Sequence, residues 1–471
     1  MKLGELVAGG GDAIVTGFAI DHRKVAPGTV FGAFQGLARN GEDFIPAAVA
    51  ARAIAVVTRP EAHVEGALHI ADRRPRQRFA ELAARFFAPF PETIVAVTGT
   101  NGKTSTVEMT RQLWWMAGMS AASIGTLGVI TGEDRVATGL TTPDVVTFLS
   151  NVAGLAREGV THLAFEASSH GLSQYRMEGV PVAAAAFTNL SRDHLDYHGD
   201  MAEYLTAKLR LFSEVLAPDG IAVVWADDPR ASRVIDLARE RRNPLITVGE
   251  RGTTLRLTGR APTLLGQELT IVADGREHRV ALPLIGAYQA ANALVAAGLV
   301  VATGGDVAAT LAALARLQPV RGRLERAVIA RSGAPVYVDY AHTPDALEAA
   351  IAALKPHAAG RLIVAFGAGG DRDQGKRELM GEVAARCADV AIVTDDNPRT
   401  ERPAAIRAAI LHGAPDAIEI ADRHDAIAYA IGTAGADDIV LIAGKGHEQG
   451  QIVGDMVLPF DDVAVARAVA A

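Results

Sequence analysis

At 471 residues the chain is longer than one hydrophobic core usually organises, and roughly 150 residues per domain gives about three domains. Its 49% of apolar residues lies in short runs, none reaching the roughly eighteen residues of a membrane span, and the net charge of −8 excludes a general nucleic-acid footprint. The single Cys387 forms no internal disulfide, and the N-terminal stretch lacks a continuous apolar segment, so a cytoplasmic protein is expected, with no membrane span and no nucleic-acid partner.

Residues 1–90 mix short apolar strands (13–19 and 53–58) with Ala-rich helical stretches (45–52 and 76–87), as in a small α/β domain. The run Ala88-Pro89-Phe90-Pro91 interrupts the helical pattern and marks a boundary, so a central domain is expected over 91–322. It opens with IVAVTGTNGKTST (94–106). A β-branched strand over 94–97 runs into Gly99, Thr100, Asn101, Gly102, Lys103, Thr104 and Ser105, with a helical pattern from 107. Glycines let backbone N–H groups close around phosphate oxygens, the helix start adds its positive dipole end, Lys103 supplies charge, and the Thr104 hydroxyl suits Mg2+. The loop is a shortened variant, because the usual pattern places a further glycine where Val97 stands.

Further strands are expected over 162–166, 183–189 and 220–225, spaced for intervening helices, which gives a doubly wound parallel sheet with ligands at strand C-termini. Residues 255–284 alternate like antiparallel strands before Gly286 opens an Ala-rich helix. Beyond a boundary at Gly322-Arg323 the βα rhythm restarts at 336–340, 362–367, 390–394 and 439–443, so residues 323–471 are expected to form a Rossmann-like third domain.

Four polar stretches follow the phosphate loop. TTPD (141–144) offers a rigid hydroxyl pair for phosphate or sugar, or is a turn and nothing more. In FEASSHGL (165–172) the carboxylate of Glu166 stands at a strand end, a metal-ligand position, with Gln174 and Arg176 close behind. TNLSRDHLDYHGD (188–200) is dense in His and Asp, and His194 is its ligand candidate. In EYLTAKLRLF (203–212), Leu205, Leu209 and Phe212 share a helical face bordered by Lys208, which either snorkels to solvent or takes a role beside magnesium.

The motifs GTNGKTS, TTPD, EASSHGL, TNLSRDHLDYHG, YAHTPDAL, GAGGDRDQGKR, DNPRTE and GKGHE, in this order across nearly the whole chain, resemble the Mur ligases of peptidoglycan synthesis, and among them the diaminopimelate-adding members. The resemblance implies a first domain for the UDP end of the substrate, a central ATPase and a third domain for the amino acid. It makes Lys103 the phosphate-binding lysine, Thr104, Glu166 and His194 magnesium-associated groups, and Lys208 a lysine carried as its carbamate (N6-carboxylysine). Lys103, Lys208, His194 and Glu166 are then the catalytic set. It puts Thr141, Thr142, Ser168, Gln174 and Arg176 at the nucleotide substrate, with Asn292, Arg323 and Asp339 around ATP. Arg372, Asp396, Asn397, Pro398, Arg399, Gly444 and Glu448 fall at the amino acid.

Two positions depart from the pattern. The usual Asp-Ser-Arg of the first domain is Asp21-His22-Arg23, and Gln289 in GAYQAAN replaces a frequent asparagine, with Asn292 kept. The implied partners are ATP, the UDP-muramoyl dipeptide and diaminopimelate, on a monomer. The rival readings are the same ligation with L-lysine, a folylpolyglutamate synthetase-like ligase, and a nucleotide-switched binding protein without ligase activity.

Overall fold

The structure, a computed structural model, describes every residue except 37–38, 133, 137–138 and 264–265. Its organising element is the strand Thr93–Thr98, whose Ile94, Val95, Ala96 and Val97 are fully buried. A strand apolar on both faces needs cover on both sides. Val95 and Val97 pack with Val107, Leu113 and Leu294 of helices Lys103–Met116 and Ala287–Ala302. Ile94 and Ala96 face the opposite core with Phe148 and Val152 of helix Val145–Arg157.

This strand lies inside an eleven-stranded sheet. From one edge the order is Arg276–Leu282, Gly266–Ala273, Leu255–Thr263, Leu245–Gly249, Leu216–Trp225, Val182–Phe187, Thr93–Thr98, His162–Glu166, Ala121–Gly125, Gly128–Thr131 and Asp134–Val136. The interior pairs are parallel, and antiparallel strands extend both ends. Register decides what meets at the functional edge. Val97 pairs with Glu166 on one side and Ala186 on the other, so Gly99, Glu166 and Thr188 leave the sheet together.

The N-terminal unit is a four-stranded parallel sheet, Gly17–Ala19, Thr29–Gly32, Ala55–Thr58 and Leu68–Ala71. Helix Pro75–Phe87 covers it, with Phe79 meeting Phe18 and Phe34 edge to face at 5.3 and 5.5 Å. The third unit is a six-stranded sheet ordered Glu325–Ile329, Pro335–Asp339, Ile439–Ala443, Leu362–Phe366, Val390–Val393 and Ile418–Glu419, parallel beyond its first pair. Asp339 pairs with Ala443, so Asp339 and the segments after 393 and 443 emerge at one edge. Among the described residues no helix is long and apolar enough to cross a membrane.

The sequence-based elements differ from the structure in three places that matter. The strand expected over 13–19 is only Gly17–Ala19, because Ile14 bridges to Lys2 and the Thr16 hydroxyl is tied to Pro27 O, eleven residues on. The helix expected from 107 begins at Lys103, capped by Gly102 at φ 86°. The stretch 203–212 is helix Met201–Arg210 continued by a π-helical turn, Leu211–Val215. That helix buries Tyr204, Ala207 and Lys208, while Leu205 and Leu209 are only half-buried.

Candidate active site

The phosphate loop needs its glycines. A Cβ on Gly99 (φ 151°) would stand 1.9 Å from Thr188 Oγ1, and one on Gly102 (φ 86°) 2.3 Å from Asn292 Oδ1. Both positions also have backbone angles that L side chains rarely adopt. The loop is tied to the next strand end: Thr100 N donates to Asn189 O, Asn101 N to Asn189 Oδ1 and Thr188 Oγ1 to Asn101 O. Lys103 Nζ donates to Gly99 O at 2.9 Å and Thr100 O at 2.8 Å. Its pKa is lowered, by burial first; Glu166 and Asp193 favour the charged form and Arg323 opposes it.

Lys208 is 1% exposed and donates to the same carbonyl, Gly99 O, at 2.6 Å, with Nζ 4.3 Å from the centre of the Tyr204 ring. Snorkelling is therefore excluded. Burial pushes its pKa well below the ordinary lysine value, and the Lys103 charge pushes the same way. Tyr204 closes the floor, its hydroxyl donating to Thr100 Oγ1.

Glu166 is 2% exposed, and Gly125 leaves the room for it. Oε1 accepts from Thr126 N at 2.7 Å and Oε2 from Thr126 Oγ1 at 3.2 Å. His194 has a left-handed φ of 54° and lies with Nε2 3.5 Å from Asp193 Oδ2. Burial pushes its pKa below the ordinary imidazole value, with Asp193 opposing and the Lys103 charge assisting, which favours the neutral ring that has a lone pair to offer. Thr104 and Glu166 are the oxygen donors magnesium prefers; Lys208 as an ammonium is not a donor and fits only as its carbamate.

The expected substrate contacts are largely bound to one another. Thr142 Oγ1 donates to Glu166 O and accepts from Ser168 N, Ser168 Oγ caps Gly171 N, and the Thr141 and Thr126 hydroxyls pair at 3.0 Å, Thr141 donating because Thr126 gives its proton to Glu166. Arg176 donates to Thr142 O and to Gln174 Oε1, while Gln174 Nε2 donates to Tyr197. These bonds fix the loop after His162–Glu166. Beyond it, a cavity of about 520 Å³ separates the N-terminal unit from the start of helix Val145–Arg157, lined by Asp21, His22, Phe44, Arg76 and Asp144. His22 lies flat on Phe44, ring centres 4.5 Å apart and planes 3° from parallel. This is what replaces the usual serine.

A second cavity, of about 350 Å³, is lined by Thr188, Trp225, Asp228, Tyr288 and Asn292. Gln289, the other departure, is buried and donates from Nε2 to Arg323 O at 2.9 Å, with Oε1 3.5 Å from Asn292 Nδ2. Arg323 Nη2 reaches back to Thr104 Oγ1 at 3.2 Å, and its guanidinium lies over the Tyr340 ring. Asp339 accepts from Leu324 N, Ala341 N and Tyr288, and burial pushes its pKa up to about 6.

On the third unit, Asp396 and Asn397 are buried, and Asn397 Nδ2 donates to Glu448 Oε2 at 2.7 Å. Asp396 Oδ2 occupies the space beside Gly444 that a Cβ would fill. Arg399 is half-buried with a left-handed φ of 51°; its backbone pairs with Ile452 and Gly454, and Nη1 donates to Gly370 O at 2.8 Å. Pro398 sits against Gly370, which has no room for a Cβ. Arg372 is exposed. Asp193 from the central unit and Asp396 from the third both act on Lys376 and Tyr340, so the two edges face each other. Sequence reasoning passed over Thr126, Tyr204, Phe44 and Lys445. Only Lys445, inside GKGHE, carried a motif signal.

Fold and site together define a three-unit nucleotide-binding protein, with a phosphate loop on the middle unit and a third unit closing against it. The family profile of the Mur ligase middle domain matches residues 97–300, and that of the Mur ligase glutamate ligase domain matches 322–446. The chain is 60% identical to the UDP-N-acetylmuramoyl-L-alanyl-D-glutamate–2,6-diaminopimelate ligase of Zymomonas mobilis, covering 99% of this chain and 98% of that protein. It is 51% identical to the ligase of the same name from Bradyrhizobium diazoefficiens, over 100% and 99%. A solved structure of such a diaminopimelate ligase superposes with a TM-score of 0.73 at 34% identity, covering 100% of this chain and 98% of that one. The ADP complex of Mycobacterium tuberculosis folylpolyglutamate synthase, at 19% identity and a TM-score of 0.66 over 84% and 93%, shares the fold alone. The chain belongs to the Mur ligase family, and with it to the ATP- and magnesium-dependent ligases.

Proposed function

We propose that this protein joins meso-2,6-diaminopimelate to the D-glutamyl carboxylate of UDP-N-acetylmuramoyl-L-alanyl-D-glutamate at the expense of ATP, as a cytoplasmic monomer. The observation that carries the reading is Arg323 reaching from the third unit to Thr104 at the phosphate loop, which brings the amino-acid edge onto the ATP edge.

A carboxylate oxygen of the dipeptide attacks the γ-phosphorus and ADP leaves. The amine of diaminopimelate then attacks the acyl carbon, phosphate leaves, and the amine sheds a proton. Lys103 neutralises the phosphoryl oxygens, while the loop N–H groups and the start of helix Lys103–Met116 orient them. Magnesium, when bound, supplies charge neutralisation between the two anions. Thr104, Glu166, His194 and Lys208 are the residues that would hold it. Lys208 does so after its neutral amine adds to CO2 and loses a proton, which burial favours by suppressing the ammonium. Asn292, Arg323 and Asp339 fix ATP, and Arg399, Asn397 and Glu448 fix the amino acid. Closure excludes water from the acyl phosphate.

The test is isotopic. Dipeptide labelled with 18O in its D-glutamyl carboxylate is expected to deliver one labelled oxygen to the released phosphate. Unlabelled phosphate, or phosphate release independent of the amino acid, would refute the reading.

A further inference from the structure

Lys445 is 0% exposed, and the mechanism above does not use it. A buried ammonium is costly unless its three donors are met, and all three are: Nζ donates to Gly450 O at 2.6 Å, Asn397 Oδ1 at 2.9 Å and Glu448 Oε2 at 3.2 Å. Asn397 completes the set, with Nδ2 donating to Glu448 Oε2 and Oδ1 accepting also from Ile452 N. One oxygen of Glu448 thus takes both donors. The other, Oε1, makes no hydrogen bond among the described residues, and the Glu448 side chain keeps 30% of its exposure.

We infer that Lys445 is a positioning residue for the amino-acid substrate: it clamps Glu448 through Oε2 and Asn397 through Oδ1, so that Glu448 Oε1 is aimed at the ammonium of an incoming zwitterion. The inference rests on the function proposed above, in which that substrate is diaminopimelate. Lys445 does not touch the substrate. Its bond to Gly450 O also holds the start of hairpin Gly450–Pro459, whose Val453 bridges to Arg399, so the same lysine sets the spacing between the Glu448 anion and the Arg399 cation. An amino-carboxylate presents both charges at a fixed separation, which a fixed anion–cation spacing would recognise.

The test separates positioning from folding. Lys445→Met is expected to raise KM for diaminopimelate at least about tenfold while KM for ATP stays within about twofold, because an interaction made equally in ground and transition states acts on KM. Lys445→Gln, which keeps a donor for Glu448 or Asn397, is expected to recover part of that loss. In a double-mutant cycle with Glu448→Gln, the loss from Lys445→Met is expected to shrink, since the lysine acts through that carboxylate. Should Lys445→Met fail to fold, the cycle is run with Lys445→Gln. Parallel rises in KM for ATP and diaminopimelate, or additive losses in the cycle, would overturn the inference. A wild-type enzyme unable to use diaminopimelate at all would instead refute the function on which it rests.

Discussion

Lys103 and Lys208 donate to one and the same carbonyl, Gly99 O, at 2.9 and 2.6 Å. Two ammonium groups this close repel, and Lys208, fully enclosed, gives up its charge first. A neutral buried amine is the form that reacts with CO2, and the resulting anion would lie beside Lys103 as a partner rather than a rival. Lys208→Ala is therefore expected to abolish turnover with the fold intact, with partial rescue by a short-chain carboxylic acid. Near-normal activity, or an unmodified lysine by mass analysis of the active complex, would contradict this.

Lys103 is expected to act most where charge moves. Its Nζ lies among loop carbonyls, with Glu166 and Asp193 in electrostatic reach. Lys103→Ala is expected to lower kcat by at least about a hundredfold while the affinity for the UDP-dipeptide changes far less. Steady-state kinetics with calorimetric binding of the dipeptide separate the two. Equal losses would place Lys103 in the other substrate's site.

Arg399 is expected to set specificity. Nη1 is anchored on Gly370 O, while Nε and Nη2 make no hydrogen bond among the described residues and remain available to a carboxylate. Once the closed site and the substrate enclose the half-buried Arg399, losing one partner of the charged pair costs about 3 to 5 kcal/mol, so Arg399→Ala is expected to cut diaminopimelate use at least about a hundredfold. Lysine, with no distal carboxylate, would lose far less. An unchanged ratio between the two amino acids would defeat the assignment.

Asp339 ties stability to pH. Burial raises its folded pKa to about 6, above the 3.8 of a solvated aspartate, so the folded state holds this proton more tightly than the unfolded chain. Its contribution is fully present below the unfolded pKa and is lost as pH rises through about 6, on the order of 2 to 3 kcal/mol. Urea unfolding at about pH 4.5 and about pH 7 is expected to show wild type losing that much relative to Asp339→Asn. A difference between the two proteins that does not change with pH would be the contrary result.

The parts of this site legible in the sequence are those set by chain-local rules. A β-branched run ending in glycines announces the phosphate loop, and a carboxylate at a strand end announces Glu166, which register then sets opposite Val97. Lys208 was only half legible, because helical spacing identifies a face but not whether a lysine's head turns inward. Thr126, Phe44 and Tyr204 left no local trace. Thr126 matters because Gly125 brings its N–H to a carboxylate forty positions away, and Phe44 because His22 lies on it. Gln289 reads in the sequence only as a replacement of a frequent asparagine, and the packing shows that it ties the helix of Asn292 to the backbone of Arg323. Such contacts are decided by the packing of separate elements, and motif spacing does not encode them.

The most direct measurement offers the purified protein ATP, magnesium and the UDP-muramoyl dipeptide, with meso-diaminopimelate and L-lysine in parallel, following phosphate release and the mass of the product. Stoichiometric phosphate and UDP-muramoyl tripeptide are expected with diaminopimelate, and little of either with lysine. Equal or preferred use of lysine, or phosphate release with no tripeptide, would contradict it.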